Sequence, residues 1–160
     1  MTSAEYNTCV DAYADGIYRF ILHHIKDEDD AQDVVQDTFE KCWRNHANVQ
    51  YSKAKSYLFT TAHHTMIDRI RKNKRTEPLN EYHEEPSHYQ QYSDLKQILQ
   101  EALDKLPPVQ KSVILLRDYE GYDYKEIGEI TGLNESQVKV YIYRGRVALK
   151  EYLGSMSNVM

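Results

Sequence analysis

Side chains able to do chemistry collect in two places. Between residues 53 and 75 the chain carries Lys53, Lys55, Arg69, Arg71, Lys72, Lys74 and Arg75 against Asp68 alone, with Tyr57, Phe59, His63 and His64 among them. Aromatic rings are platforms for unstacked bases, at roughly 1–3 kcal/mol per base, and cations track a phosphate backbone, so this mixture suits single-stranded nucleic acid. The second place is Tyr124 to Leu153. A short helix, a turn at Gly132-Leu133-Asn134 and a longer helix, with Ile127, Ile130, Leu133, Val138 and Ile142 inward, form the pattern of a helix-turn-helix. Its second helix would offer Glu135, Ser136, Gln137, Lys139, Val140 and Tyr141 to base edges in a major groove, and Arg144, Arg146 and Lys150 to phosphates.

Other chemistries find no constellation. The pairs His23-His24 and His63-His64 are adjacent in sequence, so on a helix their rings diverge by roughly 100° and cannot chelate as an i, i+4 pair does; no metal site is expected. Cys9 and Cys42 lack a Cys-x-x-Cys spacing and read as reduced thiols in helices. No Ser/His/Asp or Cys/His set, no phosphate-cradling glycine loop and no dinucleotide fingerprint is present. Neither catalysis, a cofactor nor a small-molecule substrate is expected.

The elements that must position these groups read as helices throughout. Ala4 to Ile25 carries Tyr6, Val10, Tyr13, Ile17, Phe20, Ile21 and Leu22 at helical spacing. In the next helix Ala31, Val34, Val35, Thr38, Phe39, Cys42 and Trp43 recur on one side while Asp30, Asp33 and Asp37 share another. Ser52 is placed as the cap of a third helix running to about Asn73, with Leu58, Ala62, Met66 and Ile70 inward. Thr76 to Ser93 has no sustained period and holds Pro78 and Pro86, which marks a linker. Helices are then expected over Asp94 to Leu106, Val109 to Asp118, Tyr124 to Thr131 and Glu135 to Leu153, the last capped by Asn134 with Gln137 completing a capping-box-like pair. The fold class is all-α: two small helical domains, 1–75 and 94–155, joined by a flexible acidic linker over 76–93.

The charge map fits a binder of nucleic acid. The 160 residues carry 20 Lys+Arg against 25 Asp+Glu, a net charge of -5, but residues 1–75 hold 11 of each sign and residues 107–160 hold 7 of each. The deficit lies in residues 76–106, with 2 basic and 7 acidic side chains. Residues 27–40 carry seven acids and no base, so an acidic face precedes the basic stripe. No apolar run approaches the roughly 20 residues that cross a bilayer, and no export signal is visible after Met1. A cytoplasmic chain without membrane insertion is expected.

In three stretches, in order, the chain resembles a bacterial RNA polymerase sigma factor of the sigma-70 family, extracytoplasmic-function (ECF) type. Asp30 to Phe39, ending near Trp43-Arg44, is similar to the stretch that docks on the polymerase clamp. Tyr57-Leu58-Phe59, Ala62 and Ile67-Asp68-Arg69-Ile70-Arg71 resemble the helix that meets the melted minus-ten element. Leu106-Pro107, Gln110, Val113, Leu115-Leu116, Glu120-Gly121, Tyr124, Glu126-Ile127, Gly132, Val138-Lys139, Arg144 and Arg146 resemble the domain that reads the minus-thirty-five element.

The resemblance implies an initiation factor that binds core RNA polymerase, directs it to a promoter class and helps hold the nontemplate strand open. It implies polymerase contacts at Asp30, Asp33, Val34, Gln36, Asp37 and Phe39. Minus-ten contacts are implied at Tyr51, Lys53, Tyr57, Phe59, His63, His64, Asp68, Arg69, Arg71 and Lys72. Minus-thirty-five contacts are implied at Lys125, Glu135, Ser136, Gln137, Lys139, Val140, Tyr141, Arg144 and Arg146. The partners implied are core polymerase, promoter DNA in duplex and single-stranded form, and an anti-sigma factor. The chain departs from the family at His63 and His64, where Arg and Asn are common, at Val140-Tyr141 in place of Ser-Arg, and at Gly145 in place of Ala. From the residues alone, a stand-alone helix-turn-helix regulator with an N-terminal sensor or dimerisation domain remains the alternative.

Overall fold

The computed structural model describes residues 1–76 and 91–157, and every element in those stretches is helical. Most of the linker expected at 76–93 lies outside the described residues. Helix α1 (Ser3–Ile25) opens with a capping box, the Glu5 backbone N–H donating to Thr2 Oγ1 and the Thr2 N–H donating to the Glu5 carboxylate. Helix α2 (Glu28–Arg44) is capped by Asp27, which accepts from the Asp30 N–H at 3.0 Å; Glu28, Asp29 and Asp30 then lie in the first turn, where the helix dipole favours negative charge. Helix α3 (Ala54–Thr76) follows a single 3₁₀ turn at Tyr51–Lys53. Ser52, expected as the cap of this helix, lies inside that turn and caps nothing.

These three helices bury Ile17, Phe20 and Ile21 against Ala31, Val34 and Phe39, and against Leu58, Phe59, Ala62 and Met66. Cys9 and Cys42 are both buried thiols, and burial pushes Cys42 up to about 11, so neither ionises near neutrality.

The second unit starts with helix α4 (Gln91–Asp104), then α5 (Pro108–Ile114), whose first residue is a proline that needs no intrahelical donor there. A π-helical turn (Leu115–Tyr119) leads to α6 (Tyr124–Thr131), and α7 (Glu135–Ser157) closes the unit. Asp123 caps α6, Gly132 ends it at φ 80°, and the Asn134–Gln137 capping box starts α7, with bonds of 2.8 and 3.0 Å. A Cβ at Gly128 would stand 2.7 Å from the Leu133 carbonyl, so the tight helix-turn-helix corner requires glycine there. Gly145 is also explained by packing: a Cβ would lie 2.9 Å from Ile114 Cγ1, where α7 crosses α5.

The two units pack against each other with α6 lying across α3. Arg19 pairs with Glu120 at 3.0 Å, Lys26 with Asp104 at 2.7 Å, and Lys55 with Glu126. Ser56 donates to Glu129 at 3.1 Å and Thr60 to the Ile130 carbonyl at 3.3 Å. The Tyr122 ring meets Phe59 edge-on at 5.1 Å. At the α1–α5 contact His24 Nε2 lies 3.3 Å from the Ser112 hydroxyl and its ring stands edge-on to Phe20. Burial pulls the His24 imidazole down to about 3; Lys111, His63 and His23 act in the same direction and Asp104 opposes them.

Candidate nucleic-acid interface

Three faces carry the chemistry. On α2 the carboxylates of Asp33 and Asp37, with Gln36, are exposed, and Asp30 is half-buried. Val34 and Phe39, expected among the polymerase contacts, are buried beneath that face. Helical periodicity explains it: they hold α2 on α1 and α3, and the acids project because Val34 and Phe39 do not. Trp43, expected on the inner side, is 44% exposed and stacks on His46 with ring centroids 4.4 Å apart.

On α3 and the turn before it, Tyr51, Lys53, His64, Asp68, Arg71 and Lys72 are exposed and Tyr57 is half-buried. Phe59, expected among the minus-ten contacts, has no exposed surface while the two units are packed together. It is fully buried, in contact with Phe20 and Tyr122, because α3 is covered by α1 on one side and α6 on the other. His63 also turns inward against Phe20, and burial lowers its imidazole below the usual range, with His64 adding to the effect. His64 instead sits between two clefts. One, of about 620 Å³, is lined by Lys53, Ser56, Tyr57, Thr60, Thr61 and Glu129 besides His64. The other, of about 590 Å³, is lined by His63, Ile67, Asp68, Arg71 and Thr131 as well. Glu129 and Thr131 belong to α6, so the second unit closes one flank of the α3 surface.

Arg69 joins the first two faces. Its guanidinium donates to Asp30 at 3.0 Å and Asp33 at 3.1 Å, two of the carboxylates expected to meet polymerase. Burial works against its charge, but the carboxylates of Asp33 and Asp30 prevail and raise its pKa above the usual value.

The third face is the start of α7. Glu135, Ser136, Lys139, Val140 and Arg144 are exposed, as the helix-turn-helix reading requires, and Tyr141 is half-buried. Gln137 is exposed, but its carbonyl oxygen accepts from the Asn134 N–H and its own N–H donates to Asn134 Oδ1, so the residue is committed to capping. Arg146 pairs with Asp118, its Nε lying 3.1 Å from Oδ2. Lys139 lies 5.5 Å over the Tyr124 ring, and Lys125 is exposed on α6. The sequence reading passed over Tyr143, the most exposed large apolar side chain among the described residues at 70%. Its signal was available, since Ser136, Val140, Tyr143 and Val147 follow one another at i, i+4, i+7 and i+11.

Both units match known families. Residues 9–76 match Sigma-70 region 2, and residues 96–149 match Sigma-70, region 4. The ECF RNA polymerase sigma factor SigE of Mycolicibacterium smegmatis is 34% identical over 155 residues, covering 91% of this chain and 60% of the relative. The RNA polymerase sigma factor SigV of Bacillus subtilis is 33% identical over 147 residues, covering 89% of this chain and 87% of the relative. Among solved structures, the sigma factor RpoE of Bartonella quintana, in complex with the anti-sigma factor NepR, superposes with a TM-score of 0.77 at 26% identity, covering 93% of this chain and 96% of that one. CnrH, in complex with the cytosolic domain of CnrY, shares the fold at a TM-score of 0.74 and 22% identity.

Proposed function

The chain belongs to the ECF sigma factors of the sigma-70 family, and we propose that it performs the family task with the three faces just described. Asp33, Gln36 and Asp37 on α2 dock on a basic surface of core RNA polymerase, with Val34 and Phe39 holding the helix beneath them. The exposed side of α3 with its preceding turn, chiefly Tyr51, Lys53, Tyr57, His64, Arg71 and Lys72, holds the nontemplate strand of the minus-ten element. The start of α7 enters the major groove of the minus-thirty-five element. The chain selects where polymerase starts and takes no part in phosphoryl transfer, works in the cytoplasm, and is restrained by an anti-sigma partner.

The observation that carries this reading is the order of the faces along one short chain: acids on α2, cations and rings on α3, helix-turn-helix at the end. Each is a partner-specific surface, and only a chain mounted on a transcribing enzyme uses all three at once. The arrangement of the units adds a condition. Glu126 and Glu129 hold Lys55 and Ser56, and α6 covers a flank of α3; promoter engagement therefore requires the units to separate. The test is run-off transcription with purified core polymerase on genomic fragments. New start sites that depend on the added chain are expected, and a polymerase that neither retains the chain nor initiates anywhere new overturns the reading.

A further inference from the structure

The outer side of α7 carries apolar side chains where a solvent-facing helix has no packing use for them. Val140 is 44% exposed, Tyr143 70% and Val147 39%, and the spacing of 3 and 7 residues sets them in one stripe that continues from Ser136. The opposite side, with Val138, Ile142 and Gly145, is buried in the unit's core. A single exposed valine is unremarkable, whereas a contiguous exposed stripe marks a contact surface.

Charge indicates what covers it. Lys139, Arg144, Arg146 and Lys150 are exposed along its flanks, against Glu135 and Glu151 as the acids of α7. An apolar stripe bordered by cations is complementary to a groove whose floor is base edges and whose walls are phosphates. The hydrogen-bonding capacity beside the stripe is meanwhile reduced, because Gln137 is held in the cap and Arg146 by Asp118.

We propose that α7 reads thymine C5-methyl groups in the minus-thirty-five element through Val140 and Tyr143, with Ser136 and Arg144 supplying polar contacts at either end. In the major groove of unmodified DNA, thymine is the one base that presents a methyl, so apolar side chains there select for it. Val140 and Tyr143 stand about 4.5 Å apart along the helix axis, close to one base-pair step of about 3.4 Å, so the thymines they meet lie within two base pairs of each other. This inference rests on the reading of α7 as the groove-entering helix.

The experiment uses holoenzyme reconstituted from core polymerase and the full chain, on a promoter fragment mapped by run-off transcription. Each thymine of the minus-thirty-five region, on either strand, is replaced in turn by deoxyuridine, which removes the methyl and nothing else. Loss of one buried methyl weakens promoter binding about fourfold, and one or two neighbouring positions are expected to respond. With Val140→Ala or Tyr143→Ser the response at the corresponding position disappears, while the rest of the scan is unchanged. A flat deoxyuridine scan together with weakened binding by Arg144→Ala overturns the methyl reading and leaves the groove reading standing. Indifference to Arg144→Ala, Val140→Ala and every deoxyuridine overturns both. Equal loss on thymine and uracil templates with Val140→Ala assigns the stripe to a protein contact and ends the proposal.

Discussion

His24 makes the closed arrangement of the two units sensitive to acid. Its ring lies between α1 and α5, with Ser112 at 3.3 Å, the Lys111 ammonium and the His63 and His23 rings around it, and Asp104 the one acid among its influences. Lys111 itself is held by Asp104 at 2.8 Å. Burial brings the folded imidazole to about 3, whereas an exposed histidine titrates near 6.5. The folded pKa is the lower one, so the stability that neutral His24 contributes is fully present above about pH 6.5 and is lost as pH falls from there toward 3. At pH 5.5 the loss is set by the exposed value, because the folded pKa lies far below: an unfolded chain binding the proton at 6.5 gains about 1.4 kcal/mol over one that cannot. At pH 7.5 the same quantity is below about 0.1 kcal/mol. His63, whose pKa is also lowered, adds loss in the same direction, and the Asp104 carboxyl, kept below its usual range by bonds from Lys111, Lys26 and Gln100 that outweigh its burial, titrates below the window. Urea unfolding at pH 7.5 and 5.5 should therefore show the wild-type chain losing about 1.4 kcal/mol more than His24→Gln, which keeps a polar group opposite Ser112 and cannot charge. Parallel losses in the two proteins would refute the placement of a neutral His24 in the interface.

Three further outcomes follow from the packing. Glu126→Gln with Glu129→Gln removes two charged contacts between α6 and α3, each worth about 0.5 kcal/mol at this exposure, so energy transfer between dyes on α2 and α7 should report about a fivefold rise in separated units. An unchanged distance distribution would show that the carboxylates do not hold the units together. Asp37→Lys should weaken retention by core polymerase several-fold, more strongly at low salt, without lowering the melting temperature, since Asp37 is exposed and Val34 and Phe39 keep α2 in place; gel filtration with core enzyme checks it. Gly128→Ala should lower stability by about 1–2 kcal/mol in thermal unfolding although alanine favours helix by about 1 kcal/mol, because the new methyl meets the Leu133 carbonyl at 2.7 Å and the turn has no room to yield. A stability gain would show that the corner relaxes.

What could be read from the sequence was mostly local. The capping box at Asn134 and Gln137, the acids in the first turn of α2 and the inward Leu58, Ala62 and Met66 each depend on residues within two turns, and each is present. The inward placement of Phe59 and His63 in the closed arrangement has a cause that periodicity cannot supply. A helix packed on one side buries a stripe, but α3 is packed on two, by α1 with α2 and then by α6, which widens the buried arc to take in Phe59, while His63, half-buried, turns against Phe20 of α1. The partner of that second side lies some seventy residues along the chain, and the contacts that fix it run from the hydroxyls of Ser56 and Thr60, which read as solvent-exposed in sequence, to the Glu129 carboxylate and the Ile130 backbone carbonyl.

The same long-range pairs explain how a chain built to hold nucleic acid can carry a net charge of -5. Several cations that would meet phosphate are already engaged: Arg69 by Asp30 and Asp33, Lys55 by Glu126, and Arg146 by Asp118. Each pair is partly exposed, so each is worth at most about 1 kcal/mol and yields readily to a stronger partner. On the proposed reading, release is linked across faces at Arg69, since a basic polymerase surface that took Asp30 and Asp33 would leave the guanidinium to the DNA side of α3. Free in solution, these cations are neutralised and the chain as a whole carries a net charge of -5, so long-range attraction to DNA is weak. On the proposed docking of α2, only Arg69 would lose its acids to polymerase, while Lys55 would be freed by separation of the units and Arg146 by phosphate competing with Asp118.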